Sequence, residues 1–276
     1  MATRLQVALV TGSNKGIGYE IVKGLLSNLG KGWIVYLTSR NPELGNKALE
    51  ELKSVGEPEL RMHQLDITNK ESVASLKQHF ETEKLGLDIL VNNAGFAYKS
   101  KAPEPFSVQA RNTIDINYYG TLNLTNALFP FLTKNARVVN VGSMLGAIKQ
   151  IKSKELADKI MSPDLTEEGL TAIVEDFVSS AQNDTHQSKG FPNSAYSVSK
   201  IAVHGLTRIW AKSPALPEGA TVNVFCPGWC KTDMAGHELP PRTATQGADT
   251  GVYLSTLSGD AAVTGKFFSE RKEREW

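Results

Sequence analysis

The chain has 276 residues, 41% hydrophobic and 21% charged, with 30 lysines and arginines against 29 acidic side chains. That is enough chain to bury a full core in one α/β domain spanning residues 1–276. A net charge of +1 with no long basic run excludes nucleic acid or an anionic membrane as the main partner. Two cysteines, Cys226 and Cys230, are too few for a disulfide framework, and their spacing is not C-x-x-C, so no metal site is expected. The longest uncharged run, residues 116–133, carries Asn117, Asn123 and Asn126 and reads as a buried helix. The apolar run at 7–10 is too short for a secretory core, so a cytoplasmic protein without a membrane span is expected.

Residues 7–10 are a short apolar run closed by Thr11-Gly12, which predicts a buried strand. Then come Thr11-Gly12-Ser13-Asn14-Lys15-Gly16-Ile17-Gly18 and Tyr19, Ile21, Val22, Leu25 and Leu26 at helical spacing. Strand, glycine turn and helix together place a pyrophosphate at a helix N-terminus, although the spacing G-x-x-x-G-x-G is not the common dinucleotide fingerprint. The second strand, 34–37, ends in Thr38-Ser39-Arg40. The acid that would hold an NAD ribose is missing, and Arg40 with Lys15 can meet a 2′-phosphate, so NADP is favoured over NAD.

A helix at 42–55 and a strand at 60–65 follow. Asp66, at that strand's end, can accept from an adenine amino group or cap the helix starting near Asn69. The buried strand 87–91 ends in Asn92-Asn93-Ala94-Gly95, small and amide residues that suit either a cofactor-facing loop or an ordinary turn. One helix is predicted over 107–132. Its Asn117 either bends the helix and holds a water or is a satisfied core amide. Ser143 follows the fifth strand, 137–141, at its carboxyl end, where ligands bind in open α/β sheets, or is simply a cap.

Residues 147–190 read as a helical insertion laid on the surface, with helices at 152–160 and 166–182. In the second, Leu170, Ile173, Val174, Phe177 and Val178 share one face. In the helix at 195–210, Tyr196 and Lys200 are four residues apart and share a face. The lysine is expected to stabilise the phenolate and lower the tyrosine pKa, giving a proton donor and acceptor. A strand at 221–225 leads to an irregular segment, about 228–243, read as a mobile lid. A helix at 244–257 and a last strand at 266–269 complete the pattern. Alternating strands and helices predict a Rossmann-type doubly wound parallel sheet of about seven strands with helices on both faces.

The ordered set T-G-x-x-x-G-I-G, N-N-A-G, a serine after strand five, Y-x-x-x-K and P-G-W-x-x-T-D resembles the short-chain dehydrogenase/reductase family over nearly the whole chain. Asn14 to Gly18, His63 to Asp66, Pro192 to Tyr196, Cys226 to Trp229, Thr232 to Gly236 and Trp276 resemble its NADPH-dependent carbonyl reductase branch. The resemblance implies NADPH/NADP+ as cofactor and reduction of aldehydes, ketones or quinones to alcohols. Tyr196 would be the general acid, Lys200 its pKa-lowering partner and ribose ligand, Ser143 the carbonyl donor, and Asn117 the holder of a water linking Lys200 to solvent. Gly12, Asn14, Gly16, Ile17 and Gly18 would bind the pyrophosphate, Lys15 and Arg40 the 2′-phosphate, and Asp66 and Ile67 the adenine. Asn93, Ala94 and Gly95 would line the adenosine ribose, and Cys230, Lys231 and Thr232 would meet the carboxamide. Trp229, with Met144 and Phe96, would give the substrate an apolar wall. Gly142 departs from relatives that often carry a second serine there.

Two other readings stand beside it: a hydroxysteroid or prostaglandin dehydrogenase, and a non-catalytic NADP(H)-binding module. Cys226 is either reactive or a packed, inert thiol. Ser143 and Tyr196 lie 53 positions apart (196 − 143), longer than the family's usual spacing. The insertion would then cover an assembly face and leave a monomer, or else form a wall of the substrate site.

Overall fold

The computed structural model describes residues 4–99, 101–257 and 263–276. The first half runs β1 (Gln6–Val10), α1 (Gly16–Asn28), β2 (Trp33–Ser39), α2 (Pro42–Leu52), β3 (Glu59–Gln64), α3 (Lys70–Thr82) and β4 (Leu87–Asn92). Next come α4 (Phe106–Ile114), a π-helical turn (Asp115–Gly120), α5 (Thr121–Leu128) and β5 (Leu132–Val141). The chain then forms α6 (Lys154–Met161), α7 (Glu167–Gln182), α8 (Ala195–Trp210), β6 (Thr221–Cys226), α9 (Ala244–Thr256), β7 (Phe267–Ser269) and β8 (Lys272–Arg274). The strands form one sheet in the order β3-β2-β1-β4-β5-β6-β7-β8. The order reverses between β1 and β4, and a crevice at the carboxyl ends of strands forms at such a switch point.

Strand alternation sends side chains into two layers. Val7 and Leu9 of β1 join one core, with α4, α7 and α8, while Ala8 and Val10 join the other, with α1 and α9. Both faces are thereby covered, which is why the central strands read as continuous apolar runs rather than as alternating ones.

Three expectations are corrected. Among the described residues the sheet has eight strands, and the last, β8, pairs antiparallel with β7. Glu270 and Arg271 take positive φ (55° and 59°) between them, as a tight hairpin turn needs. Neither residue advertises that conformation, and the exposed, charged β8 carries no apolar pattern to reveal it. Second, the expected single helix at 107–132 is interrupted by the π turn and ends in a short 3-10 turn at Phe129–Phe131, where Pro130 cannot continue an α-helix. Third, α7 is not merely laid on the surface. Leu170, Val174, Phe177 and Val178 are each at most 3% exposed and belong to the same core as β1 and α8. Its charged face made the segment look peripheral, but its apolar stripe packs on α4 and α8.

Candidate active site

The glycine turn follows β1 at the switch point. Gly12 and Gly16 have φ of 58° and 62°, a left-handed backbone that a side chain would strain. At Gly18 a Cβ would meet Asn93 Nδ2 at 2.4 Å and the Gly12 carbonyl at 2.8 Å, so helix and turn are pressed together. The Thr11 hydroxyl accepts from the amides of Asn93 and Ala94 at 2.9 and 2.8 Å, and Asn93 Nδ2 donates to the Thr11 and Gly12 carbonyls. Those bonds fasten the N-N-A-G loop after β4 to the turn after β1. The N-cap of α1 is Lys15, which provides no side-chain cap, and the first turn has no acid. The free amides and the positive end of that helix are left for an anion. Thr232 lies above Gly16, whose added Cβ would stand 3.4 Å from Thr232 Cγ2. Arg40 lies exposed at the end of β2, and Lys15 pairs with Asp233 at 2.6 Å. Asp66 accepts from the Thr68 amide and hydroxyl, and the helix cap is Asn69, so the capping alternative for Asp66 falls away. Ile67 is buried against Gly120. Cys230 is buried in the segment after β6, while Lys231 is exposed.

On the other side of the switch point stand the groups suited to chemistry. Ser194 caps α8 by accepting from the Ser197 amide at 3.1 Å, which fixes the start of the helix and hence the position of Tyr196. Ser143, the first residue past Gly142 at the end of β5, stands near enough to Tyr196 to act on its phenol, while its hydroxyl accepts from the Leu145 N–H at 3.1 Å. Lys200 lies one turn along α8, its Nζ 5.6 Å from the Tyr196 ring centre. Asn117 sits in the π turn, where its amide accepts from the Phe96 N–H at 2.7 Å and donates to the Phe96 carbonyl and to Ser199 Oγ. Both readings of Asn117 therefore have a basis: the helix is distorted at this residue, and its side chain is also a fully satisfied core amide. Trp229, in the segment after β6, is 53% exposed, and Met144 and Leu145, in the loop after β5, are 41% and 47% exposed.

The expected lowering of the tyrosine pKa by Lys200 is overturned. Burial pushes the Tyr196 phenol up to about 12, nearby Cys226 adds to the rise, and the Ser143 hydroxyl opposes it. Lys200 makes no hydrogen bond to the phenol; its ammonium donates to the Val141 carbonyl at 2.7 Å. Burial holds Lys200 itself down to about 8. The i to i+4 spacing correctly puts the two on one face, but the direction of the ammonium is set by a carbonyl from another element.

Sequence reading missed three supporting residues. Thr11 ties two loops together, Ser199 receives Asn117, and His204 lies under the Ser143 loop. Ser199 had a signal, since it stands three residues after Tyr196 in the same turn of helix. His204 had none, because its partners come from β5 and the end of the chain. Among the described residues no cluster of His, Cys, Asp or Glu is arranged to hold a metal, and no helix is long and apolar enough to cross a membrane.

A family model described as short chain dehydrogenase matches residues 6–154 and 159–242. Carbonyl reductase (NADPH) 1 of Homo sapiens is 40% identical over 282 residues and covers all of both chains. Carbonyl reductase (NADPH) 3 of Rattus norvegicus is 38% identical, again over the whole of both chains. Among solved structures, salutaridine reductase from Papaver somniferum is 30% identical with a TM-score of 0.82, over 96% of this chain and 99% of that one. Menthone neomenthol reductase from Mentha piperita is 31% identical with a TM-score of 0.79, over 97% and 99%. The matched segments hold the glycine turn, the N-N-A-G loop, Ser143, Tyr196 and Lys200 in one crevice: this chain belongs to the short-chain dehydrogenase family of oxidoreductases.

Proposed function

We propose that this protein is an NADPH-dependent carbonyl reductase that converts aldehydes, ketones or quinones to alcohols. The observation that carries the reading is the proximity of Ser143 to the buried Tyr196 phenol, in a chain whose α1 has an uncapped N-terminus. Full-length similarity at 40% identity to a protein named carbonyl reductase (NADPH) 1 supports it. The fit to a dinucleotide rests on the positive-φ glycines, the free amides of the first turn of α1 and the absence of an acid at the end of β2.

In this reading the turn from Gly12 to Gly18 binds the pyrophosphate, Lys15 and Arg40 bind the 2′-phosphate, and Asp66 and Ile67 bind the adenine. Asn93, Ala94 and Gly95 line the ribose, with Cys230, Lys231 and Thr232 near the carboxamide. When bound, the cofactor supplies the hydride. As the substrate carbonyl is reduced, negative charge grows on its oxygen, and Ser143 and Tyr196 stabilise that oxygen with hydroxyl donors. With its pKa pushed up to about 12, the phenol holds its proton through neutral pH, the state needed to give a proton to the nascent alkoxide. Lys200 holds the end of β5 through Val141 and contributes positive charge beside the phenol ring. Asn117 locks the backbone at Phe96 and ties the π turn to Ser199, with a water relay toward Lys200 as its further role. Exposed apolar side chains at Trp229, Met144 and Leu145 support apolar carbonyl compounds as substrates.

We read the chain as a monomer, because α7 already occupies faces of α4 and α8; light scattering should give one species of a single chain's mass. The deciding experiment follows NADPH consumption with a panel of quinones, diketones, aldehydes and steroids, repeated with NADH. The Tyr196→Phe variant should lose about 10²- to 10⁴-fold in turnover while still binding NADPH. Near-normal reduction by that variant overturns the assignment.

A further inference from the structure

His204 is a buried imidazole that the reaction described above does not use. It is 3% exposed and stands one turn after Lys200 on α8. Its Nε2 accepts from the backbone N–H of Ser143 at 3.4 Å. Its Nδ1 has no hydrogen-bond partner among the described residues. The ring packs against Phe267, with ring centres 4.6 Å apart, and meets the Trp276 ring edge to face at 5.6 Å.

The loop has been shaped around this ring. A Cβ on Gly142 would stand 2.4 Å from His204 Nε2, and one on Gly146 would stand 2.9 Å from the same atom. Both glycines flank Ser143, so the imidazole fills the space that side chains there would take. The Gly142 departure noted in the sequence thereby acquires a physical reason. Burying an imidazole with one nitrogen unsatisfied costs stability. An aliphatic side chain of similar size between Phe267 and Trp276 would avoid that cost. What an aliphatic residue cannot do is accept from the Ser143 amide.

We propose that His204 is a positioning residue for Ser143: its Nε2 anchors the Ser143 backbone from beneath, with Trp276 and Phe267 holding the ring in place, so that the serine hydroxyl stays directed at Tyr196 and the reacting oxygen. This rests on the reading of Ser143 as a carbonyl donor. Burial and the charge of Lys200 hold His204 down to about 3, so the ring is neutral and Nε2 remains an acceptor at physiological pH. The proton then lies on Nδ1, which makes Nε2 the only nitrogen able to accept.

The test compares two variants of similar size. His204→Met keeps the packing and removes the acceptor. His204→Gln places a carboxamide oxygen near the position of Nε2. We expect His204→Met to lower kcat about five- to tenfold, the worth of one hydrogen bond, with KM for NADPH unchanged, and His204→Gln to restore most of it. In a Ser143→Ala background His204→Met should add no further loss, because the group it positions is gone. Hydrogen exchange of the peptide covering residues 142–147 should quicken about fivefold in the Met variant and stay near the parent rate in the Gln variant. If the Met variant does not fold, Trp276→Ala loosens the ring from outside and should give a smaller change in the same two readouts. Equal losses in the Met and Gln variants, a full additive loss on top of Ser143→Ala, or unchanged exchange in the Met variant overturns the proposal. Parent protein that reduces none of the carbonyl panel sinks the functional reading instead, and the exchange measurement still decides whether the anchor exists.

Discussion

Two segments flank Tyr196, and they are held by opposite kinds of force. The loop at 142–147, after β5, is seated on buried groups: Lys200 donates to Val141, His204 accepts from Ser143, and Gly142 and Gly146 close onto the imidazole. The segment at 228–243, after β6, is held largely by exposed charges. Lys15 and His237 both pair with Asp233, Lys99 donates to the Asp233 and Met234 carbonyls, and Arg242 pairs with Glu270 at 2.5 Å. Buried contacts at close packing tolerate little displacement, whereas exposed ion pairs are screened and contribute little each. The difference fits the roles assigned to the two segments. A donor aimed at a reacting oxygen has to be fixed, and the proposed lid over the substrate pocket at 228–243 would have to move.

The sharpest way to break this contrast is one methyl group. Gly142→Ala brings a Cβ to 2.4 Å from His204 Nε2 and 2.6 Å from Val224 Cγ2, so it should cost about 1–3 kcal/mol by overpacking and lower turnover as well. Combining it with His204→Ala should recover part of the stability. In the segment at 228–243, Gly236→Ala meets no atom within 4 Å, and its cost is limited to the strain of a φ of 89°. Denaturant unfolding of the set reads the outcome, and equal costs at the two glycines would erase the distinction.

Acid should separate the segments next. His204 is near 3 when folded and near 6.5 when unfolded, so between those values the unfolded chain binds more protons and stability rises with pH. Going down, stability is lost progressively from about pH 6.5 toward 3. The segment at 228–243 behaves differently. Lys15, and then His237, hold Asp233 below its ordinary 3.8, so its contribution is present above that value and fades only as pH falls below it. Unfolding measured at pH 7, 5 and 4 should show a decline that is shallower in His204→Gln and unaltered in Asp233→Asn. A decline identical in all three proteins contradicts the buried imidazole as its source.

The smallest effect belongs to Asp233 itself. Its pair with Lys15 is about 60% exposed on both sides, so Asp233→Asn should change stability by no more than about 0.5 kcal/mol. It also frees Lys15 for an anion, and NADPH should bind about twofold tighter by titration calorimetry at low salt, with the gain vanishing at high salt. Weaker NADPH binding would mean that Asp233 aids the cofactor rather than competing with it.

The amino-acid sequence by itself determined the parallel sheet, the glycine turn at its switch point, and the placement of Ser143, Tyr196 and Lys200 at one edge. Those features depend on strand periodicity, on glycine's freedom and on helical spacing, all local properties of the chain. Only the tertiary structure decided the rest. The β7–β8 hairpin depends on two left-handed residues, Glu270 and Arg271, that no local pattern announces. The π turn at Asn117 uses residues equally able to form an α-helix. The helix α7 became core because α4 and α8 offered it an apolar surface. The tyrosine pKa rose because burial outweighed the lowering influence of Ser143, while the lysine turned to the Val141 carbonyl. His204 gained its place under Ser143 from Phe267 and Trp276, more than sixty positions further along the chain, through contacts that exist only once the sheet has brought the strands together.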